Sequence, residues 1–187
     1  MTRQWRNILL VLGVLIILFL INTLNQQKLI SSSDNVFHVK EDQIFSFTIK
    51  MGDEEIELSR VDTLWVITGH DSLLVKSRIM SNFLEQSLKV KRETLVSTNP
   101  KKWSTYSVDD SLGSVLTVYG ESGNEKGRAV FGRSKSEWSK NFVRIGNENK
   151  VYQTNKSIVH QLQISPTYWG ETPKLPEPPA ADTISVD

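Results

Sequence analysis

The chain has 187 residues, of which 39% are hydrophobic and 23% charged, so we expect one folded domain of ordinary size. Its 22 Lys and Arg balance 21 Asp and Glu, and this near-zero net charge of +1 argues against a nucleic-acid partner. The absence of cysteine excludes disulfides, cysteine nucleophiles, zinc sites with Cys ligands and an anchor made by lipid-modified Cys. We expect no cofactor.

The N-terminal part of the chain is predicted to cross a membrane. Residues 8–21 contain only Ile, Leu, Val and Phe, apart from Gly13. A spanning helix needs ~20 residues, and the wider segment 5–24 supplies them with a single charge, Arg6. A buried core helix is the alternative, and the lack of a polar stripe argues against it. Residues 1–24 are therefore interpreted as a cytoplasmic tip and a transmembrane signal anchor, with residues 5–24 in contact with lipid.

The residues that flank the apolar run predict the orientation of the chain. Arg3 and Arg6 precede the run without any acidic residue, which places the N-terminus in the cytoplasm by the positive-inside rule. No Ala precedes Ala129, so the small-residue site that a signal peptidase requires is missing. The sequence therefore predicts an uncleaved, single-pass membrane protein with its N-terminus inside and its domain outside. In a bacterium, these places are the inner (cytoplasmic) membrane and the periplasm.

Beyond the anchor, the pattern predicts an α+β domain at residues 36–170, preceded by a polar linker at 25–35. Short apolar or alternating runs separated by Gly, Asn and Asp indicate a mainly antiparallel sheet. The predicted strands are 36–39, 44–49, 55–58, 64–67, 90–98, 115–119, 129–132, 142–145 and 151–152. Residues 171–187 hold four of the six prolines and are predicted to form an extended, disordered tail.

Two helices are predicted to pack on this sheet. The first begins after Asp71 or Ser72 as its cap, because apolar residues then recur at helical spacing. Its apolar face carries Leu73, Met80, Leu84 and Leu88, together with Ser77. The second is a short helix capped by Asn155. Since the order hairpin, strand and helix occurs at 44–88 and again at 115–163, a structural pseudo-repeat is also predicted.

Chemically informative residues are few. His38, His70 and His160 are not spaced like metal ligands. His70 and Asp71 follow a predicted strand and are interpreted either as a catalytic pair or as loop and helix-cap residues. The adjacent Asp109 and Asp110 are typical of a turn, with acid–base chemistry or calcium binding as the alternative.

The tryptophans supply the candidate contact residues. Trp65 lies in an apolar strand and is predicted to be in the core. Trp103 and Trp138 lie in polar loops, where a large aromatic side chain needs burial or a partner surface. Lys101 and Lys102 directly precede Trp103 and belong to a basic cluster with Lys89, Lys91 and Arg92, for which an anionic wall polymer or lipid headgroups are the candidate contacts. These four loop residues are candidates for contact with a partner, the alternatives being internal packing for the tryptophans and a solvated face for the lysines.

Several short segments resemble the bacterial domain-of-unknown-function family 4340. They are DTLWVI at 62–67, WSTYSV at 103–108, AVFG at 129–132, NFVR at 141–144 and KVYQ at 150–153. The resemblance implies one N-terminal membrane helix and an extracytoplasmic α+β domain, and it supplies no catalytic residues. It also implies an accessory role beside ABC transporter subunits of the gliding-motility type.

The expected function is that of a non-enzymatic, membrane-anchored binding or scaffold component of an envelope complex. Its expected partners are membrane lipid and an envelope protein, which the resemblance suggests is an ABC transporter subunit. The alternative is a periplasmic hydrolase that acts on envelope polymers, for which the sequence shows no convergent set of polar residues.

Overall fold

The computed structural model describes residues 3–135 and 138–173, with side chains described at 10–23 and from residue 33 onward within those ranges. The predicted tail at 171–187 lies outside the described residues from residue 174 on. The chain begins with a 27-residue helix, α1 (Arg3–Leu29), and strand β1 (Ile30–Asn35) follows it without a gap. Among the described residues, no helix combines the length and the apolar character expected of a membrane span. The transmembrane assignment of residues 5–24 stays a prediction.

The predicted linker at 25–35 differs from the structure. Residues 25–29 continue α1, and residues 30–35 form a strand that pairs antiparallel with β6 (Lys91–Ser97). The strand lies at the edge of the sheet, so polar residues suit it, and Asp34 adds an ion pair with Arg92 at 3.1 Å. The strand predicted at 36–39 is absent, although Val36 and Phe37 are buried.

The domain is α+β and is built on a nine-stranded antiparallel sheet, as the alternating pattern predicts. Besides β1 and β6, its strands are β2 (Ser46–Met51), β3 (Glu54–Val61), β4 (Leu64–Ile67), β7 (Ser114–Tyr119), β8 (Glu125–Arg133), β9 (Asn141–Ile145) and β10 (Val151–Thr154). The strand order is β1-β6-β10-β9-β8-β7-β2-β3-β4. A second, two-stranded sheet pairs β5 (Leu74–Val75) with β11 (Gly170–Glu171).

One face of the large sheet is covered by α2 (Ser77–Ser87) and by the chain from residue 155 to 169. Aromatic rings form the centre of this core: the ring of Phe47 lies 4.4 Å from that of Phe83 and 5.6 Å from that of Trp169. The predicted first helix starts later than expected, because Leu74 and Val75 pair with β11 and the N–H of Lys76 donates to the carbonyl of Trp169. Neither Asp71 nor Ser72 caps α2, since Lys76 occupies the N-cap position.

The second predicted helix is reduced to a 3₁₀ turn at Val159–Gln161, followed by the four-residue helix α3 (Pro166–Trp169). The side-chain oxygen of Asn141 accepts the N–H groups of Ile158 and Val159, which holds this segment in an irregular path. Among the described residues, α2 is therefore the one helix of more than two turns that packs against the sheet. The second half of the predicted pseudo-repeat has a 3₁₀ turn where the first half has this helix, so the two halves do not share the predicted order of elements.

The opposite face is covered by residues 98–113, which connect β6 to β7. Val108 packs there with Val115, Val130 and Val151 in a second, smaller apolar cluster. The connection comes so close to the sheet that a Cβ atom at Gly132 would lie 2.0 Å from the carbonyl oxygen of Tyr106. A glycine is therefore required at this position by the close approach of two backbones.

Candidate functional site

A groove of about 550 Å³ lies between the edge strand β4, the short strand β5 and α2. Its apolar walls include Trp65, Met80 and Leu84, and its polar residues include Glu41 and Asp71. The lining residues are Glu41, Thr63, Leu64, Trp65, Val66, Ile67, His70, Asp71, Leu73, Leu74, Val75, Ser77, Met80, Ser81 and Leu84. This set contains two carboxylates and neither Lys nor Arg, so the groove is apolar with an acidic character.

The rim of this groove exposes large apolar side chains to solvent. Leu64 on β4 is 70% exposed and Leu74 on β5 is 58% exposed. Val61, which pairs with Leu64 across the turn between β3 and β4, is 55% exposed. Single exposed leucines are ordinary, whereas apolar side chains grouped around a groove are typical of a binding surface.

The backbone of β4 is open on its outer side. The backbone N–H of Arg60, in β3, donates to the carbonyl of Phe45 at 2.7 Å and therefore points toward β2. Arg60 lies directly opposite Trp65 in the pairing of β3 with β4. Because peptide groups in an antiparallel pair point alternately toward and away from the partner, the N–H and C=O of Trp65 point away from β3. They face the edge of the sheet beside the groove, where a further strand could pair.

Trp65 packs against the main core, as predicted, but it is half-buried and not fully enclosed. Its ring lies 5.5 Å from the ring of Phe47, and it lines the groove together with Met80 and Leu84. The reason is its position: β4 is the last strand of the sheet, so no neighbouring strand covers its outer side. Among the tryptophans whose side chains are described, Trp169 is fully buried.

His70 and Asp71 are both exposed and both line the groove. The backbone of His70 forms a turn, because its N–H donates to Ile67 at 3.0 Å and its carbonyl accepts from Leu73 at 3.0 Å. The hypothesis of a catalytic pair stays a prediction. Among the described residues, no cluster of three or more His, Cys, Asp or Glu side chains is placed to hold a metal ion.

Trp103 packs within the domain. The guanidinium carbon of Arg144 lies 4.2 Å from its ring centre, and its indole Nε1 donates to the carbonyl of Asn149 at 3.4 Å. Trp103 is half-buried against the smaller apolar cluster. These contacts bury part of the ring inside the domain, which is one of the two explanations that the sequence left open for Trp103. Contact of Trp103 with a partner stays a prediction.

The other candidate residues lie at separate places on the sheet. Trp138 is 85% exposed beside a depression that Arg133, Asn141 and His160 line, at the end of the sheet where β8 ends and β9 begins. Trp103 bonds to Asn149 at the opposite end of β9, in the turn to β10. The tryptophans therefore do not form one surface. Lys101 and Lys102 are exposed on a 3₁₀ turn that Asn99 caps, close to Trp103.

Sequence reasoning missed the buried Arg144. Its Nε donates to the carbonyl of Val108 at 2.9 Å, its Nη1 to that of Gly146 at 2.8 Å, and its Nη2 to the carboxylate of Asp110. Asp110 also pairs with Arg128 at 3.2 Å. The signal in the sequence was a charge within the apolar run of β9. Arg144 ties the connection at 98–113 to the sheet, so this Asp–Arg network has a structural explanation.

Asp109 forms a tight turn beside this network. One carboxylate oxygen, Oδ1, accepts the hydroxyl and N–H of Ser111 and the N–H of Leu112. The other, Oδ2, is buried and has no hydrogen-bond partner among the described residues. Burial favours the neutral acid, but the hydrogen bonds from Ser111 and Leu112 outweigh it and hold the pKa of Asp109 below its ordinary value of 3.8.

We expect Asp109→Asn to destabilise the fold at neutral pH by ~1 kcal/mol, because an amide oxygen accepts these bonds less strongly than a carboxylate does. Because the pKa of Asp109 is lower in the folded state, the ionised carboxylate stabilises the fold at a pH above its unfolded-state pKa of 3.8. This stabilisation is lost as the pH falls through the pKa of the folded state. Urea denaturation at pH 7 and near pH 3 should therefore show that the difference in unfolding free energy between wild type and variant, the stability gap, becomes smaller in acid. A gap that is equal at both pH values would contradict this assignment.

Comparison with protein-family models, with curated proteins and with solved structures gave no significant match. The resemblance to the domain-of-unknown-function family 4340 stays a prediction.

Proposed function

We propose that this protein is a non-enzymatic, membrane-anchored binding or scaffold component of a bacterial envelope complex. In this proposal, α1 anchors the chain in the inner membrane and the groove beside β4 receives an extended segment of a partner protein. The observation that carries the proposal is the exposed apolar rim of the groove, Leu64 and Leu74, next to the open backbone edge at Trp65. An accessory role beside an ABC transporter of the gliding-motility type is the specific form that the resemblance suggests.

The anchor is supported by the side chains of α1. Eleven apolar residues of this helix are each at least 50% exposed, and they point in all directions around the helix axis. They are Leu10, Val11, Leu12, Val14, Leu15, Ile16, Ile17, Leu18, Phe19, Leu20 and Ile21. Lipid is the environment that covers such a helix on every side. Arg3 and Arg6 then keep the N-terminus inside and the domain in the periplasm.

The partner segment is proposed to be an apolar strand flanked by basic residues. An added strand can pair with the open backbone of β4 and place alternate side chains in the groove. Apolar walls favour apolar side chains at those positions. The acidic Glu41 and Asp71, with neither Lys nor Arg in the lining, favour Lys or Arg beside the apolar segment.

The test introduces a photo-crosslinking amino acid at Leu64 or at Leu74 in living cells. We expect both positions to crosslink to the same envelope protein, through an apolar segment with basic flanks that mass spectrometry identifies. Leu112 is the matched control, because it is similarly exposed at 62% but lies on the connection that covers the opposite face. Leu64→Asp should lower the amount of crosslinked product formed from position 74 by about tenfold, as expected when a residue that anchors an interface is lost.

Other outcomes would overturn this assignment. Crosslinks only to a second copy of the chain would show that the groove is a dimer interface. Equal crosslinking at Leu112 would show that the groove has no special role. His70→Ala serves as a functional control, since a binding component should keep its activity in cells and a hydrolase that uses His70 and Asp71 should lose it.

A further inference from the structure

We propose that the end of the sheet next to α1 contacts anionic phospholipid headgroups through Lys101, Lys102 and Lys150. This inference rests on the proposed membrane anchor and goes beyond it, because it assigns a lipid-binding role to the folded domain. These three lysines form the basic end of the sheet. Its position follows from the register of three strands, β1, β6 and β10.

The junction between α1 and β1 determines which end of the sheet is nearest to the helix. β1 starts directly after Leu29, and Ile30 pairs with Thr94 of β6. β6 continues for three more residues to Ser97, which at ~3.4 Å per residue extends it ~10 Å past the start of β1. This extension runs on the same side as α1, and α1 contacts β6 as well as β1.

The next strands bring the lysines to the same end. Val151 of β10 pairs with Ser97, so the turn between β9 and β10, which contains Lys150, lies beside the end of β6. Lys101 and Lys102 follow Ser97 by a few residues, on the 3₁₀ turn Pro100–Lys102. The indole of Trp103 donates to Asn149, which ties these two segments together.

The charge at the basic end suits an anionic surface. Lys101, Lys102 and Lys150 are exposed, and Glu148 is the acidic residue of the same turn. In a membrane-anchored chain these lysines lie where the helix leaves the bilayer. Each Lys near an anionic membrane surface strengthens binding by about fivefold, an effect that salt weakens.

The absence of cysteine allows a single fluorescent label to report on this contact. The full chain would carry Ser104→Cys or, as a control, Asn35→Cys, each labelled with an environment-sensitive dye. Both positions are exposed, but Ser104 is at the basic end and Asn35 at the far end of β1. Each protein is reconstituted in vesicles of phosphatidylcholine with or without phosphatidylglycerol, and acrylamide quenching is measured.

We expect phosphatidylglycerol to reduce quenching at position 104 by about twofold and to leave position 35 unchanged, since three lysines bias the domain toward the surface. The triple substitution Lys101→Gln, Lys102→Gln, Lys150→Gln should abolish this protection. The matched triple substitution Lys40→Gln, Lys89→Gln, Lys91→Gln removes the same charge from exposed positions elsewhere in the fold and should retain it.

The two proposals fail in different ways. A chain that does not float with phosphatidylcholine vesicles lacks the anchor. If the chain floats with both kinds of vesicle and quenching at position 104 is the same in both, then the anchor is present and the basic end does not contact lipid. Protection that survives the triple substitution at the basic end would also overturn the assignment.

Discussion

Trp169→Ala should cost the domain ~3–5 kcal/mol of unfolding free energy, a large part of the ~5–15 kcal/mol typical of a folded protein. The side chain of Trp169 is fully buried, and its ring lies 5.6 Å from that of Phe47 and 5.2 Å from that of Phe83. Its Nε1 donates to the carbonyl of Gln163 at 2.7 Å. Truncation therefore removes the ring that connects α2, the sheet and the C-terminal segment.

The measurement is chemical denaturation of the full chain in detergent, followed by near-ultraviolet circular dichroism. Trp138→Ala is the matched control, because the same side chain is removed from a position that is 85% exposed, and we expect a change of less than ~0.5 kcal/mol. Similar losses for the two variants would mean that Trp169 does not occupy the core. Trp65→Ala should fall between them, because Trp65 is half-buried.

Arg144→Ala should cost ~3 kcal/mol, because it leaves the carbonyls of Val108 and Gly146 without their donor and removes the cation that stacks on Trp103. The side chain of Arg144 is only 3% exposed, whereas that of Asp110 is 60% exposed. Water can therefore solvate Asp110 after the substitution, and we expect the loss to come mainly from the two carbonyls and from packing.

The substitution Arg144→Lys tests the geometry of this network. A lysine keeps the charge but lacks the planar fork of donors that reaches Val108, Gly146 and Asp110 together, so we expect it to restore less than half of the lost stability. Arg133→Ala, at an exposed position on the neighbouring strand, is the matched control and should be nearly silent. The readouts are urea denaturation and amide hydrogen exchange at 98–113, which should become faster only when Arg144 is changed.

The strands of the sheet could be predicted because their signals are local. Phe47 and Ile49 alternate with polar neighbours and are both fully buried. The turn at Gly52, with φ +62°, joins β2 to β3 where the sequence predicts a hairpin. Alternation and turn residues depend on a few adjacent positions, so the sequence alone determined an α+β domain with a large antiparallel sheet.

The tertiary structure decided where each strand lies in the sheet. β1 and β4 are the two edges, and this order depends on pairing between residues that are far apart in the sequence. Edge position is the reason that Trp65 is half-buried, although its strand is the most apolar in appearance. It is also the reason that the polar residues 31–35, together with Ile30, form a strand, because pairing on one side with β6 suffices while the other side faces solvent.

Only part of the candidate site could be predicted from the sequence. Trp103 and Trp138 both lie in polar loops, but the ring of Trp138 is 85% exposed, whereas Arg144 covers the ring of Trp103 from a distant strand. The groove was not predicted at all, since β11 must pair with β5 before Leu74 takes its place on the rim. Local periodicity determined which segments are strands and which helix is amphipathic. Burial, edges and grooves were decided by contacts between distant segments, because the free energy of a side chain depends on the neighbours that folding brings to it.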